Sequence, residues 1–319
     1  YYLTIIFIWM EAILNPALIL FLSGIIIGIT FKITLPNSIS KYLGYYLLLA
    51  LGLKGGLSLQ ENGFINDVIS ALSLGILFAL LIPAIAYIYL KNILNTDDAA
   101  ALSGTYGSVS AVTFVTAIAY LSTTNQDFDN YMSAVLVVME FPAIFMALYL
   151  VTHNKINKGT NLQTIKTAFL EIPNIILISS LFVGYFVNKT VISNIDIFIV
   201  TVFDYILYVF LFVMGTRVAK RTGELKGKGV NLIAFALLTP LIGSLIALIA
   251  SINFDLSVGN STLLMVLTAS ASYIAVPAVV KDAIPDANPA IYLGLSLGVT
   301  FPFNIIFGIP LYNELAKYF

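Results

Sequence analysis

The chain of 319 residues contains no cysteine and a single histidine, His153. The absence of cysteine excludes disulfides and cysteine-ligated metals, and one histidine alone cannot form a zinc site. Charged residues are also scarce, at 10%, and the net charge of −1 excludes the basic surface expected of a nucleic-acid-binding protein. No nucleophile–base pair stands within the apolar segments, so we do not expect an enzyme.

Apolar residues dominate what is there. They make up 60% of the chain, with a mean hydropathy of +0.98, against about 45–50% in a soluble domain. A membrane-spanning helix needs about 20 apolar residues. The apolar segments predict an all-α polytopic membrane protein with ten transmembrane helices, at 16–33, 38–54, 67–90, 97–122, 129–152, 172–188, 194–216, 230–252, 260–281 and 288–313.

The basic residues predict the orientation of these spans. Twelve of the 15 lysines and arginines fall in connections on one side, which the positive-inside rule assigns to the cytoplasm. We therefore predict a multi-pass protein of the plasma membrane, the inner membrane of the cell, with both termini outside the cytoplasm. Residues 1–15 are predicted to form an N-terminal interfacial helix, and residues 153–171 a cytoplasmic linker.

The two halves of the chain, 16–152 and 172–319, contain matching motifs. Gly107-Ser108-Val109-Ser110 aligns with Ala269-Ser270-Ala271-Ser272, Phe141-Pro142 with Phe301-Pro302, and Pro16 with Pro173, at offsets between 157 and 163. Five spans is an odd number, so two such repeats cross the membrane in opposite directions. This 5+5 inverted repeat is typical of secondary transporters.

Spans four and nine are predicted to be broken helices. Span four carries two glycines and several hydroxyl residues in its middle, and span nine carries Ser270, Ser272 and Pro277. Broken helices at matching places point to a binding site at the membrane midplane. Helix N-termini there favour a small oxygen-rich anion, while hydroxyl and carbonyl oxygens favour a hard cation such as sodium.

Glu140 is the ionisable residue deepest inside a predicted span. A carboxylate at that depth is costly unless it is paired, coordinated or protonated, so it indicates a functional site. It is interpreted as a sodium ligand or a carrier of a coupling proton. Its counterpart in the second repeat is Thr300, an uncharged oxygen ligand.

The chain resembles the sodium-dependent bicarbonate transporter family, whose best-known members serve cyanobacterial carbon concentration. The segments that carry the resemblance are 104–110, 139–143, 214–215, 221–225, 270–272 and 284–289, the last being Ile-Pro-Asp-Ala-Asn-Pro. The resemblance extends over almost the whole chain. It departs at Tyr273, where cyanobacterial members have an aspartate, and at Glu140, which replaces their usual aspartate.

The resemblance implies a gate domain and a transport domain, a homotrimer, and sodium-coupled symport of bicarbonate by an elevator-type mechanism. It also implies a PII-like regulatory partner on the cytoplasmic side. The expected anion-binding residues are Gly107, Ser108, Val109, Ser110, Ala269, Ser270, Ala271, Ser272 and Tyr273. The expected sodium ligands are Ser110, Thr113, Glu140, Ser272 and Thr300, and no organic cofactor is expected.

Two alternatives remain at this point. The same fold could carry another small monovalent anion, such as a short carboxylate, with proton coupling through Glu140. The other is a membrane sensor or channel without coupled transport.

Overall fold

A computed structural model of the chain describes residues 16–33, 35–154, 172–187, 201–221, 229–273, 276–277, 280 and 284–319. These residues form helices and short connections, with no strand among them. The helices are α1 (Pro16–Phe31), α2 (Asn37–Asn62), α3 (Asn66–Leu90), α4 (Thr96–Gly107), α5 (Ala111–Thr123), α6 (Met132–Asn154), α7 (Ile172–Phe186), α8 (Thr201–Arg221), α9 (Val230–Asn253), α10 (Val258–Ala269) and α11 (Pro289–Tyr318).

Within these described ranges, six helical segments are long and apolar enough to cross a membrane. They are Ser38–Asn62, Asn66–Leu90, Thr96–Thr123, Val202–Lys220, Val230–Asn253 and Pro289–Tyr318. The prediction of a helical, polytopic membrane protein is therefore confirmed. The predicted interfacial helix 1–15 and the linker from 155 onward lie outside the described residues.

Helices α2 and α11 each end later in the chain than the sequence predicted. The second span was expected to end at residue 54, but α2 continues to Asn62. Lys54 therefore lies within the helix, with its ammonium 4.5 Å from the centre of the Phe203 ring, which compensates its charge by a cation–π contact. Helix α11 contains two π-helical turns, Ser296–Thr300 and Asn304–Gly308.

The helices pack as two groups. In the first helix group, α1 lies along α8 and α2 lies along α7, with α8 also contacting α2. In the second helix group, α3 contacts α4 and α6, and α10 contacts α9 and α11, while α5 packs on α10. Contacts between the groups run chiefly from α2 to α6 and from α8 to α11.

Glycines bring the helices of the first group into close approach. A Cβ on Gly24 in α1 would collide with the carbonyl of Phe212 in α8, and one on Gly215 would collide with the carbonyl of Phe21. Between α2 and α7 the same holds for Gly52 and Gly184. Backbone-to-backbone contact of this kind is typical of small-residue interfaces between membrane helices.

Candidate functional site

The fourth predicted span is interrupted between α4 and α5. Helix α4 ends at Gly107, Ser108 is extended at φ −90° and ψ 164°, and α5 begins at Ala111. Ser110 caps α5, because its hydroxyl oxygen accepts a hydrogen bond from the backbone N–H of Thr113 at 3.2 Å. The Thr113 hydroxyl donates to the same oxygen at 2.9 Å.

In the ninth predicted span, a helix ends at the matching place. Helix α10 ends at Ala269, and Ser270 is extended at φ −87° and ψ 165°, nearly the conformation of Ser108. Residues 270–272 are not helical. The hydroxyl oxygen of Ser272 accepts a hydrogen bond from the backbone N–H of Val276 at 3.3 Å.

The two interruptions are hydrogen-bonded to each other. The backbone N–H of Ser110 donates to the hydroxyl oxygen of Ser270 at 2.9 Å. The backbone N–H of Ser272 donates to the carbonyl oxygen of Thr105 at 2.8 Å. Buried backbone groups that the broken helices leave without an intrahelical partner are therefore satisfied across the pair.

Glu140 lies beside the first interruption. It is buried in α6, with 7% of its surface exposed. Its Oε2 accepts a hydrogen bond from the Ser108 hydroxyl at 2.6 Å, the short length typical of a bond to an ionised carboxylate. In the structure, Glu140 is thus both buried and hydrogen-bonded to the first serine motif.

A cavity of about 30 Å³ lies where the two interruptions and Glu140 meet. Its walls come from both interruptions, from α6, and from α2 and α7 of the first helix group. The lining residues are Leu48, Val109, Ser110, Ala111, Val112, Glu140, Pro173, Asn174, Leu177, Ser272 and Tyr273. This volume accommodates one or two water-sized groups, so a small cargo fits this conformation.

Tyr273 contributes a polar atom to this cavity. Its hydroxyl oxygen is buried and makes no hydrogen bond of ordinary geometry among the described residues, with the Ser110 side chain close by. Its ring packs edge-on against Phe301 with 5.4 Å between the centroids. A buried hydroxyl without a well-formed hydrogen bond is costly, and a bound anion or water would satisfy it.

Some of the predicted site residues line the cavity and others do not. Those that line it are Val109, Ser110, Glu140, Ser272 and Tyr273. The remaining residues of the two serine motifs lie outside its lining and make other contacts. In the first motif, Gly107 packs on Pro83 and Ser108 is hydrogen-bonded to Glu140. In the second, the Ala269 carbonyl accepts a hydrogen bond from Asn304, Ser270 is hydrogen-bonded to Ser110, and Ala271 belongs to an apolar cluster.

Thr113 and Thr300 were both expected as sodium ligands. Thr113 is connected to the cavity through its hydrogen bond to Ser110. Thr300 is not among the residues that line the cavity. Its hydroxyl donates to the Ala236 carbonyl at 2.7 Å and also bonds the Tyr106 hydroxyl.

Two polar residues near the site were missed by the sequence analysis. Asn174, which is 3% exposed, lines the cavity from α7. Its signal was an amide directly after Pro173, at the start of an apolar segment. Asn304 donates to the Ala269 carbonyl at 2.8 Å and is held by the Tyr312 hydroxyl. It lies four residues after Thr300, with π-helical turns on both sides of Phe301–Phe303, so linear alignment of the repeats did not identify it.

The chemistry of the cavity suits both an anion and a cation. Ala111 and Val112 begin α5, and the first N–H groups of a helix together with its dipole attract negative charge. Glu140 and the serine hydroxyls offer oxygen atoms to a hard cation. The described residues contain no group of three or more histidine, cysteine, aspartate or glutamate side chains that could hold a metal ion.

Comparison with known proteins assigns the chain to a family. The model of the Na+-dependent bicarbonate transporter superfamily matches residues 16–317, a range that contains both interruptions and Glu140. A comparison with curated proteins finds no match.

Proposed function

The chain belongs to the Na+-dependent bicarbonate transporter superfamily, and on that premise we propose that it carries bicarbonate into the cell by symport with sodium. The observation that carries the proposal is the cavity in which two interrupted helices, one buried carboxylate and the first helix group meet. Substrate and coupling-ion sites of secondary transporters lie where such interruptions meet.

The anion is proposed to bind between Val109–Val112 and Ser272–Tyr273. The start of α5 supplies N–H groups, and the buried Tyr273 hydroxyl supplies a further donor. Cyanobacterial relatives carry an aspartate at this position, and the tyrosine replaces that charge by a hydroxyl that can donate to an anion. Sodium is proposed to bind beside it, at Glu140 and the hydroxyls of Ser110 and Ser272.

The packing supports a 5+5 inverted repeat. The α1–α8 pair in one half of the first helix group corresponds to the α7–α2 pair in the other. Small residues recur at the same four-residue spacing in both helices, as Gly24 and Gly28 in α1 and as Ser180 and Gly184 in α7. In both pairs a Cβ on these glycines would meet atoms of the facing helix.

Two hydrogen bonds join corresponding positions of the two proposed repeats. The backbone N–H of Asn288 donates to Asp98 in the first turn of α4, at 2.6 Å. The backbone N–H of Asp129 donates to Asn260 in the first turn of α10, at 2.9 Å. Each bond ties one proposed repeat to the other.

We propose that the first helix group is the gate domain and the second the transport domain of an elevator-type mechanism. The cavity lies between them, since its lining includes α2 and α7 from one and α5 and α6 from the other. Movement of the second group past the first would carry the cavity across the membrane. The basic-residue distribution supports a plasma-membrane protein with both termini outside, and the resemblance supports a homotrimer with a PII-like regulator.

Uptake of labelled bicarbonate into proteoliposomes tests the function. We expect accumulation against a gradient when sodium is high outside, and none without a sodium gradient. Ser110→Ala removes a hydroxyl from the cavity and should raise the half-saturating bicarbonate concentration about fivefold, which corresponds to about 1 kcal/mol for one hydrogen bond. Ser103→Ala is the matched control, because this buried serine lies outside the cavity lining and donates to the Ala99 carbonyl of its own helix α4.

Other outcomes would separate the alternatives. Dissipation of a bicarbonate gradient without accumulation would indicate a channel. Accumulation driven by a proton gradient alone would assign the coupling to protons, and uptake of formate or acetate in preference to bicarbonate would reassign the cargo. Each of these results contradicts sodium-coupled bicarbonate symport.

A further inference from the structure

One polar side chain of the cavity comes from the first helix group. The lining residues of that group are Leu48 in α2 and Pro173, Asn174 and Leu177 in α7, and among these described residues Asn174 alone has a polar side chain. Asn174 is 3% exposed. The groups proposed above to bind bicarbonate and sodium all belong to the second helix group, so this buried amide has no role in them.

The helical spacing of α7 places the Asn174 side chain on the face that meets the site. The buried residues of α7 are Asn174, Leu177, Ser180 and Gly184, which follow one another at intervals of three or four and therefore lie on one face. Ser180 and Gly184 of this face pack on α2, and Leu177 lines the cavity together with Asn174. The Asn174 side chain is thus directed to the protein interior at the cavity.

The small size of the cavity brings both helix groups within reach of one occupant. Its volume is about 30 Å³, and the second helix group supplies the start of α5, Ser272 and Tyr273 to its lining. So small a space holds only one or two water-sized groups. A small anion held by the first N–H groups of α5 therefore also contacts the Asn174 amide.

Bicarbonate differs from most small anions because it carries a hydroxyl group as well as charged oxygens. The groups already proposed to bind it, the first N–H groups of α5 and the Tyr273 hydroxyl, are hydrogen-bond donors. They suit the charged oxygens. The hydroxyl of a buried bicarbonate needs an acceptor instead, since an unsatisfied buried donor is costly.

The amide of Asn174 supplies that acceptor with a donor beside it. Its Oδ1 accepts and its Nδ2 donates in one plane, and the hydroxyl and an adjacent oxygen of bicarbonate present the complementary pair. The two edges therefore match in two parallel hydrogen bonds. These bonds use one N–H and one lone pair, and the amide keeps another of each for a contact within the protein.

We propose that Asn174 selects bicarbonate over carboxylates of similar size, because its Oδ1 accepts a hydrogen bond from the bicarbonate hydroxyl and its Nδ2 donates one to an adjacent oxygen. The proposal rests on bicarbonate as the cargo. Formate and acetate present two acceptor oxygens, so either can accept from Nδ2 but leaves Oδ1 without a donor. A site built to bind a substrate hydroxyl discriminates strongly against analogues that lack it.

Competition between bicarbonate and formate for the purified protein tests this role. Binding of labelled bicarbonate in saturating sodium, with formate as competitor, gives the half-saturating concentration of each anion without transport. The wild type should bind bicarbonate more tightly. Asn174→Leu removes two hydrogen bonds to bicarbonate but one to formate, so the ratio of the two half-saturating concentrations should change about fivefold in favour of formate, the effect of one hydrogen bond.

The matched control is Ser180→Ala, on the same face of α7. The Ser180 hydroxyl donates to the Leu177 carbonyl at 3.0 Å and lies outside the cavity lining. Its removal should leave the ratio of the two half-saturating concentrations unchanged.

A second substitution preserves the size of the side chain. Asn174→Asp keeps an acceptor but brings a negative charge against the anion, so it should weaken the binding of both anions by about tenfold or more. Melting temperatures of both variants show whether the fold is retained.

Three results would overturn the role of Asn174 and leave bicarbonate as the cargo. They are an unchanged ratio in Asn174→Leu, undiminished anion binding by Asn174→Asp, and a raised half-saturating sodium concentration with an unchanged ratio, which would assign the amide to the cation. Tighter binding of formate than of bicarbonate by the wild type would contradict the proposed function itself, and the role of Asn174 with it.

Discussion

Two serines separated by one residue have different partners in this protein. The Ser108 hydroxyl donates a hydrogen bond to Glu140, whereas Ser110 caps α5 and lines the cavity. Both were expected to contact the anion. An extended backbone directs residues i and i+2 to the same side, so the difference comes from what each serine meets. Ser108 lies against Glu140 of α6, whereas Ser110 is the N-cap of α5.

We predict that Ser108 and Glu140 act as one unit in sodium binding. Ser108→Ala removes the donor of the buried carboxylate, and a hydrogen bond to a charged group contributes about 1.5–3 kcal/mol. Glu140→Gln removes the charge itself and should raise the half-saturating sodium concentration for uptake more than tenfold. In a double-mutant cycle the second substitution should add almost nothing to Glu140→Gln. Additive effects of the two changes would contradict the coupling.

At this scale the sequence drew attention to Ser110, Ser272 and Glu140, because a serine pair and a lone carboxylate stand out in apolar spans, and the structure places all three along one cavity. It did not predict that Thr300 would be separated from the cavity. Its hydroxyl is held by the Ala236 carbonyl, a contact between residues far apart in the chain. Asn174 was missed for a related reason, because α7 is brought to the site by its packing against α2, which is distant in the sequence.

Among the helices, α2 shows how one element serves several contacts. It packs on α7 through Gly52, on α6 through Gly55, and presents Leu48 to the cavity. Its apolar content predicted a span, and its glycines allow neighbouring backbones to approach. Its end at Asn62 was not predicted, since Lys54 resembled a span terminus until its contact with Phe203 was known.

We predict that Gly52→Ala destabilises the protein by about 1–3 kcal/mol, the usual cost of overpacking. The added methyl group would collide with Ser180 and with the Leu177 carbonyl of α7. Gly44→Ala in the same helix is the control, because its Cβ would lie 3.5 Å from the Phe210 ring, an ordinary contact distance. Thermal unfolding in detergent should separate the two variants. Equal melting temperatures would show that α7 does not approach α2 this closely.

The whole molecule places the cavity at the boundary of two helix groups. The glycine-mediated pairs make the first group compact, while the second is held together by contacts among α3, α4, α6, α9, α10 and α11. Composition predicted the helical, polytopic membrane class. The division into groups depends on which helices pack together, and a linear pattern of apolar residues does not encode that choice.

A cysteine pair across the boundary tests movement of one group past the other. The protein has no native cysteine, so an introduced pair reacts only with itself. A Cβ on Gly55 would lie 3.0 Å from the Cβ of Ser133 in α6, so a disulfide forms there once the two helices separate by about half an ångström. Oxidation of the Gly55→Cys/Ser133→Cys variant should abolish bicarbonate uptake, and dithiothreitol should restore it. The control pair Gly28→Cys/Ala219→Cys lies within the first group, where the two Cβ positions are 2.7 Å apart and must separate by about 1 Å, and it should transport when oxidised. Normal uptake by the fully cross-linked Gly55→Cys/Ser133→Cys variant would rule out an elevator-type movement at this boundary.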